Sequence, residues 1–196
     1  MTSPPTSDAR TADRRRGFLL VGALSALMWV SEIVDQVLSG RLDGLGIEPR
    51  SVDGLSGVVL APFLHVGFGH LAANTLPFLA MGALIAFSGL RRVFAVTAIV
   101  VLVSGVGTWL IAPAGTVHLG ASGVVFGYAA YLVARGLFDR RFHYLAVGVL
   151  VAFGYGTTLL FGLVPQAGIS WQAHLFGAVG GVLAARVLSQ RAVTRP

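Results

Sequence analysis

Residues 92–111 read RVFAVTAIVVLVSGVGTWLI, a run without formal charge after Arg92. A helix needs about 20 consecutive apolar residues to cross the hydrocarbon core of a bilayer, so this segment is long enough to span one. Working outward, the same criterion finds five more candidates, giving six spans near 17–38, 70–90, 92–111, 122–138, 142–163 and 170–189. Composition agrees: the 196 residues are 55% hydrophobic and 11% charged, with a mean hydropathy of +0.80. Soluble domains devote about a quarter of their residues to charge. The expected fold is an all-α membrane protein, a bundle of six transmembrane helices over residues 17–189.

Residues 1–16 are rich in Ser, Thr, Pro and Arg and lack apolar periodicity, so a disordered cytoplasmic tail is expected there, with a second short cytoplasmic tail at 190–196. A cleaved signal peptide is a poor fit, because Val37-x-Ser39 is a weak cleavage site and five hydrophobic segments follow; the run from Gly17 is read as a retained span. All fourteen basic residues are Arg, and most cluster between the apolar runs, which favours topology signals over a nucleic-acid partner. The N-terminal tail, the turn with Arg91 and Arg92, the turn with Arg140 and Arg141, and the tail with Arg191 and Arg195 share one face. The other face carries the 39–69 loop, with two Arg against three acids, and the uncharged loops 112–121 and 164–169. Positive charge collects on the inner side of membranes, so both termini are expected in the cytoplasm of a multi-pass cell-membrane protein, a bacterial inner membrane being the expected setting. With no cysteine, disulfides, thiolate catalysis and cysteine-held metals are excluded.

Small residues let helix backbones approach closely in lipid, and two G-x-x-x-G pairs stand out: Gly123 with Gly127, and Gly177 with Gly181. Either pair alone reads as a plain helix contact. Here one follows Ser122 and the other follows His174, so packing through these faces brings that Ser and that His together. Depth is a separate argument. At about 1.5 Å per residue in a core about 30 Å thick, Asn74 and Ser122, each about 17 residues from a charged inner boundary, lie roughly 5 Å below the outer boundary. His174, about 12 residues from Arg186, comes out roughly 12 Å down, so all three fall in the outer half.

Gly120-Ala121-Ser122-Gly123 opens span four. A Ser at a helix N-terminus has unpaired N–H groups and the positive end of the helix dipole beside it, which suit a developing oxyanion; it can equally be a plain N-cap. A Ser hydroxyl needs a base within hydrogen-bond reach to act as a nucleophile. His174 in span six is the candidate, against the alternative of a buried neutral His satisfied by a backbone carbonyl. Glu32 and Asp35, at the outer end of span one, read as interfacial, and no carboxylate is placed to orient His174, so a Ser/His dyad is expected rather than a triad. His70 and Asn74 are four apart and share a face of span two, where with the Ser122 N–H they could form an oxyanion hole or serve as an interhelical polar clamp. His65 reads as a loop support, His143 as an interfacial side chain on the wrong side, and His118 has no assigned role.

These marks, His65-x4-His70-x3-Asn74, Gly120-x-Ser122-Gly123 and Ala173-His174-x2-Gly177-x3-Gly181, occur in order on spans two, four and six, and in them the chain resembles the rhomboid intramembrane proteases. The resemblance implies a Ser122/His174 dyad, an oxyanion hole from His70, Asn74 and the Ser122 backbone, and cleavage of transmembrane protein substrates near their outer ends without metal or other cofactor. Two departures concern loop anchoring and substrate preference. Phe126 stands where many members carry a Tyr packed on the catalytic His, and Gly46-Ile47-Glu48-Pro49-Arg50 replaces a Trp-Arg pair in the first outer loop. Three other readings are weaker. A metalloprotease would want a His-Glu-x-x-His helix, which is absent, and a carrier would want buried charge in spans three and five. A non-catalytic relative that binds and escorts transmembrane clients would not need Ser122, His174, His70 and Asn74 together.

Overall fold

A computed structural model describes residues 6–189. Its helices are α1 (Ser7–Val37), α2 (Gly57–Leu60), α3 (Gly67–Ala86), α4 (Leu90–Ile111), α5 (Ser122–Asp139), α6 (Phe142–Gly162) and α7 (Trp171–Val187), with three short 3-10 turns between α1 and α3. No strand occurs among the described residues. The expected all-helical membrane class holds; α1 and α3 to α7 overlap the six expected segments, α1 starting ten residues earlier and the other ends shifted by a few residues.

By length and apolarity, α1, α3, α4 and α6 can cross a membrane. The fourth and sixth expected spans do not meet that description: α5 has 18 residues and includes Arg135 and Asp139, and α7 has 17. Their position explains the difference. α5 packs against α3, α4, α6 and α7, and α7 lies against both α5 and α4. A helix that faces other helices carries small and polar residues at its contacts, because lipid does not demand an apolar surface there.

α1 starts ten residues before Gly17, so Ser7–Arg16 is helical where no ordered structure is expected from composition. The Thr6 hydroxyl accepts the Ala9 N–H at 3.3 Å, and Asp8 sits in the first turn against the positive end of the helix dipole. The tail residues 1–5 and 190–196, with Arg191 and Arg195, lie outside the described residues.

Glu32 and Asp35, expected as interfacial side chains, are buried inside the bundle, 1% and 3% exposed. The Gln36 amide donates to Glu32 at 2.8 Å, and Asp35 accepts the Leu42 N–H at 2.6 Å, which fixes the turn after α1. At the opposite end of the bundle Arg135 is buried as well, bonded to Asp139 at 3.1 Å and to the Ser88 hydroxyl at 2.7 Å, with its guanidinium 3.6 Å from the Tyr144 ring centroid. The i, i+4 spacing of Arg135 and Asp139 announces such a pair.

The long connection from α1 to α3 is anchored on the α4–α5 loop. Ile47 and His118 exchange both backbone hydrogen bonds, at 2.8 and 2.9 Å. Arg50 caps the end of α4 by donating to the Leu110 and Ala112 carbonyls at 3.1 and 2.8 Å, and the Trp109 indole donates to the Ser51 carbonyl. A Trp and an Arg therefore tie this loop down from two different segments.

Candidate active site

The α5–α7 seam is built glycine on glycine. A β-carbon on Gly177 would run into the Gly123 carbonyl, and one on Gly181 into the Gly127 carbonyl. Only hydrogen at these positions permits such backbone approach, and the two G-x-x-x-G pairs thus set the separation of Ser122 and His174.

Ser122 is delivered by a fastened turn. Gly120 has φ +113, a conformation that excludes most side chains, and a β-carbon there would lie 2.7 Å from the His70 ring. The Gly120 N–H donates to the Ala61 carbonyl at 2.8 Å, and the Ala121 N–H donates to His65 Nε2 at 3.2 Å. Burial, followed by the neighbouring His70, pushes the pKa of His65 down to about 4, which keeps the ring neutral and its Nε2 an acceptor. The helical ladder of α5 begins with Val124 and Val125 donating to the Ala121 carbonyl, so the N–H groups of Ser122 and Gly123 sit ahead of it as free N-terminal donors.

His174 Nε2 lies 2.8 Å from Ser122 Oγ, and its Nδ1 lies 2.7 Å from the Gly162 carbonyl oxygen. A carbonyl can only accept, so Nδ1 carries the hydrogen, Nε2 presents a lone pair, and the Ser122 hydroxyl donates to it. The Phe126 ring stacks on His174 with centroids 4.0 Å apart and planes at 9°. A β-carbon on Gly162 would lie 3.0 Å from His174 Nδ1 and collide with Phe126, so this position also requires hydrogen. The His174 imidazole is held on one face by a ring and at one edge by a peptide group. No sequence pattern announces the second, because every residue type has a carbonyl.

His70 and Asn74 share with Ser122 and His174 the lining of an open cleft of about 570 Å³ between α3 and α6. Asn74 Nδ2 donates to the His70 carbonyl at 3.0 Å, which uses one of its two N–H groups and leaves the other. The His70 ring packs edge-on to His65, with centroids 5.1 Å apart.

His118 gains a role that sequence reading lacks. Its Nε2 is 2.8 Å from the Thr116 hydroxyl, which itself donates to the Pro113 carbonyl, and its Nδ1 is 2.8 Å from the Ser170 hydroxyl. The Thr116 oxygen, having given its proton to a carbonyl, must accept from Nε2–H. Nδ1 then accepts from Ser170, whose oxygen caps α7 by accepting the Ala173 N–H. Burial lowers the His118 pKa and favours this neutral form. The chain of bonds links the loop that ends at Ser122 to the helix that carries His174. The His143 ring lies tilted against that of Tyr144 at the start of α6, outside the hydrogen bonds of this cluster.

A family model described as the Rhomboid domain matches residues 53–191. An uncharacterised protein of Mycobacterium tuberculosis is 43% identical over 198 residues, covering 95% of this chain and 82% of its own length. An uncharacterised protein of Mycobacterium leprae is 42% identical over 195 residues, covering 95% of this chain and 77% of its own. YdcA of Bacillus subtilis, a rhomboid protease by its name alone, is 30% identical over 169 residues, covering 82% of each chain.

Proposed function

The chain belongs to the rhomboid family, and from that premise we propose that it is an intramembrane serine endopeptidase that cleaves transmembrane protein substrates near the outer membrane face. The observation that carries this reading is the directed bond from Ser122 to His174 Nε2 at 2.8 Å, with Nδ1–H held by the Gly162 carbonyl. Ser122 Oγ attacks the scissile carbonyl as its proton passes to Nε2. The oxygen of the tetrahedral intermediate accepts from the N–H of Ser122, with His70 and the unused N–H of Asn74 as further donors. His174 then gives its proton to the departing amine as the C–N bond breaks, leaving an ester on Ser122. Water, deprotonated by the same imidazole, hydrolyses that ester and restores the hydroxyl. Neither metal nor cofactor is needed for these steps.

Six crossings, both termini in the cytoplasm and residence in the bacterial inner membrane complete the proposal, supported by the distribution of Arg between the connections. Its partners are then the bilayer and single transmembrane segments, not nucleic acid. The test is labelling with a serine-directed fluorophosphonate. Wild type should label and Ser122→Ala should not, and comparison of membrane proteomes should find outer domains released only by the wild type. A folded wild type that neither labels nor cleaves would leave client binding as the function.

A further inference from the structure

α3 contains Pro77 in its interior, and a proline has no N–H to give to the carbonyl four residues earlier. The Ala73 carbonyl therefore lacks its helical donor. The neighbouring polar side chains of α3 do not replace it: Asn74 donates to the His70 carbonyl and Thr75 to the Leu71 carbonyl, while the Thr75 hydroxyl is itself the acceptor for the Trp29 indole. Within a bilayer such a carbonyl is tolerated only where another group supplies the missing donor.

The direction of this carbonyl is set by its helix. A carbonyl lies between the azimuths of its own residue and the residue four ahead, and both Ala73 and Pro77 line the cleft in front of Ser122. They continue the stripe begun by His70 and Asn74 on the same face.

Resting on the reading that a transmembrane segment is received in this cleft, we propose that the Ala73 carbonyl, freed by Pro77, is an acceptor for a main-chain N–H of that segment. The chemistry is reciprocal. A transmembrane helix must unwind locally to present a peptide bond to Ser122, and unwinding in an apolar surround strips N–H groups of their acceptors where no water can replace them. α3 holds the complementary group, an acceptor stripped of its donor. Pairing the two satisfies both and favours the unwound form over the intact helix, so the same contact aligns the segment and selects sequences that unwind.

The experiment reads binding, so it does not depend on turnover. Ser122→Ala and Ser122→Ala/Pro77→Ala proteins are placed in lipid nanodiscs with a synthetic Ala/Leu transmembrane peptide carrying a Gly-Gly break near its outer end. Affinity is measured for the peptide and for analogues in which one backbone amide at a time is replaced by an ester. One analogue should bind Ser122→Ala about fivefold more weakly than its parent and lose that difference in the Pro77→Ala background, where α3 again supplies its own N–H. Equal ratios for every analogue in the two backgrounds would overturn the proposal. So would a Pro77→Ala variant with Ser122 intact whose only change is slower hydrolysis of the acyl-enzyme, which would assign the carbonyl to a water. Failure of the protease reading is seen separately, as a wild type that neither labels nor cleaves.

Discussion

Two pairs of helices meet around Ser122 in opposite ways. α5 and α7 touch backbone to backbone along a seam of glycines, and Ser122 and His174 sit on that seam at hydrogen-bond distance. α3 and α6 stand apart across a cleft, and α6 leans mainly on α5, with most of its surface unburied. A dyad tolerates little positional error, whereas a route for a polypeptide requires a gap. The fold assigns the two demands to different helix pairs.

Breaking the closed side should have the largest effects. Ser122→Ala and His174→Ala should each lower cleavage by about 10³-fold or more, with no further loss when combined, because the two act as a unit; the check is turnover of one transmembrane substrate by all three variants. Gly177→Val, which forces a side chain onto the Gly123 carbonyl, should destabilise the protein by about 3 kcal/mol or more, read as a lower unfolding midpoint. Gly162→Ala is subtler. It presses on His174 and Phe126 without parting helices, and should cost about 10²-fold in kcat/KM while the unfolding midpoint stays near that of wild type.

Acid should loosen the turn before Ser122. The folded pKa of His65 lies near 4 against 6.5 for the free side chain, so the unfolded chain binds more protons between those values and stability falls as pH drops through that window. The unfolding midpoint measured against pH should show this slope in wild type and less of it in His65→Asn. The open side supplies the smallest effect: Phe153 on α6 is 89% exposed, and Phe153→Ala in nanodiscs should change stability by no more than about 0.5 kcal/mol. A large destabilisation there would mean that α6 is as firmly packed as α7, and the contrast between the two sides would fail.

The closed side was the legible one. Glycines at i, i+4 beside Ser122 and beside His174 encode both proximity and register. What escaped reading is what residue identity does not encode. The Gly162 carbonyl orients His174 without any side chain, and the Thr116–His118–Ser170 chain depends on how two loops meet. The burial of Glu32 and Asp35 is of the same kind, because carboxylates near a helix end give no sign of which face of that helix turns inward. The helical start at Ser7 did have a local signal, Thr6 followed by Asp8, hidden by the polar composition around it.

The peptide carbonyl behind His174 has a consequence for how the site tolerates its surroundings. A carboxylate in that position would place a permanent anion among apolar helices, where even insertion-based scales charge about 2.5–3.5 kcal/mol for an acidic group at mid-membrane. A carbonyl fixes the same tautomer with no net charge, so the resting site can be inserted neutral and stays insensitive to salt. Under the proposed function, the imidazolium formed during attack would face a dipole instead of a full negative charge and be less stabilised. A weaker general base is the counterpart of a centre that a membrane can accommodate uncharged.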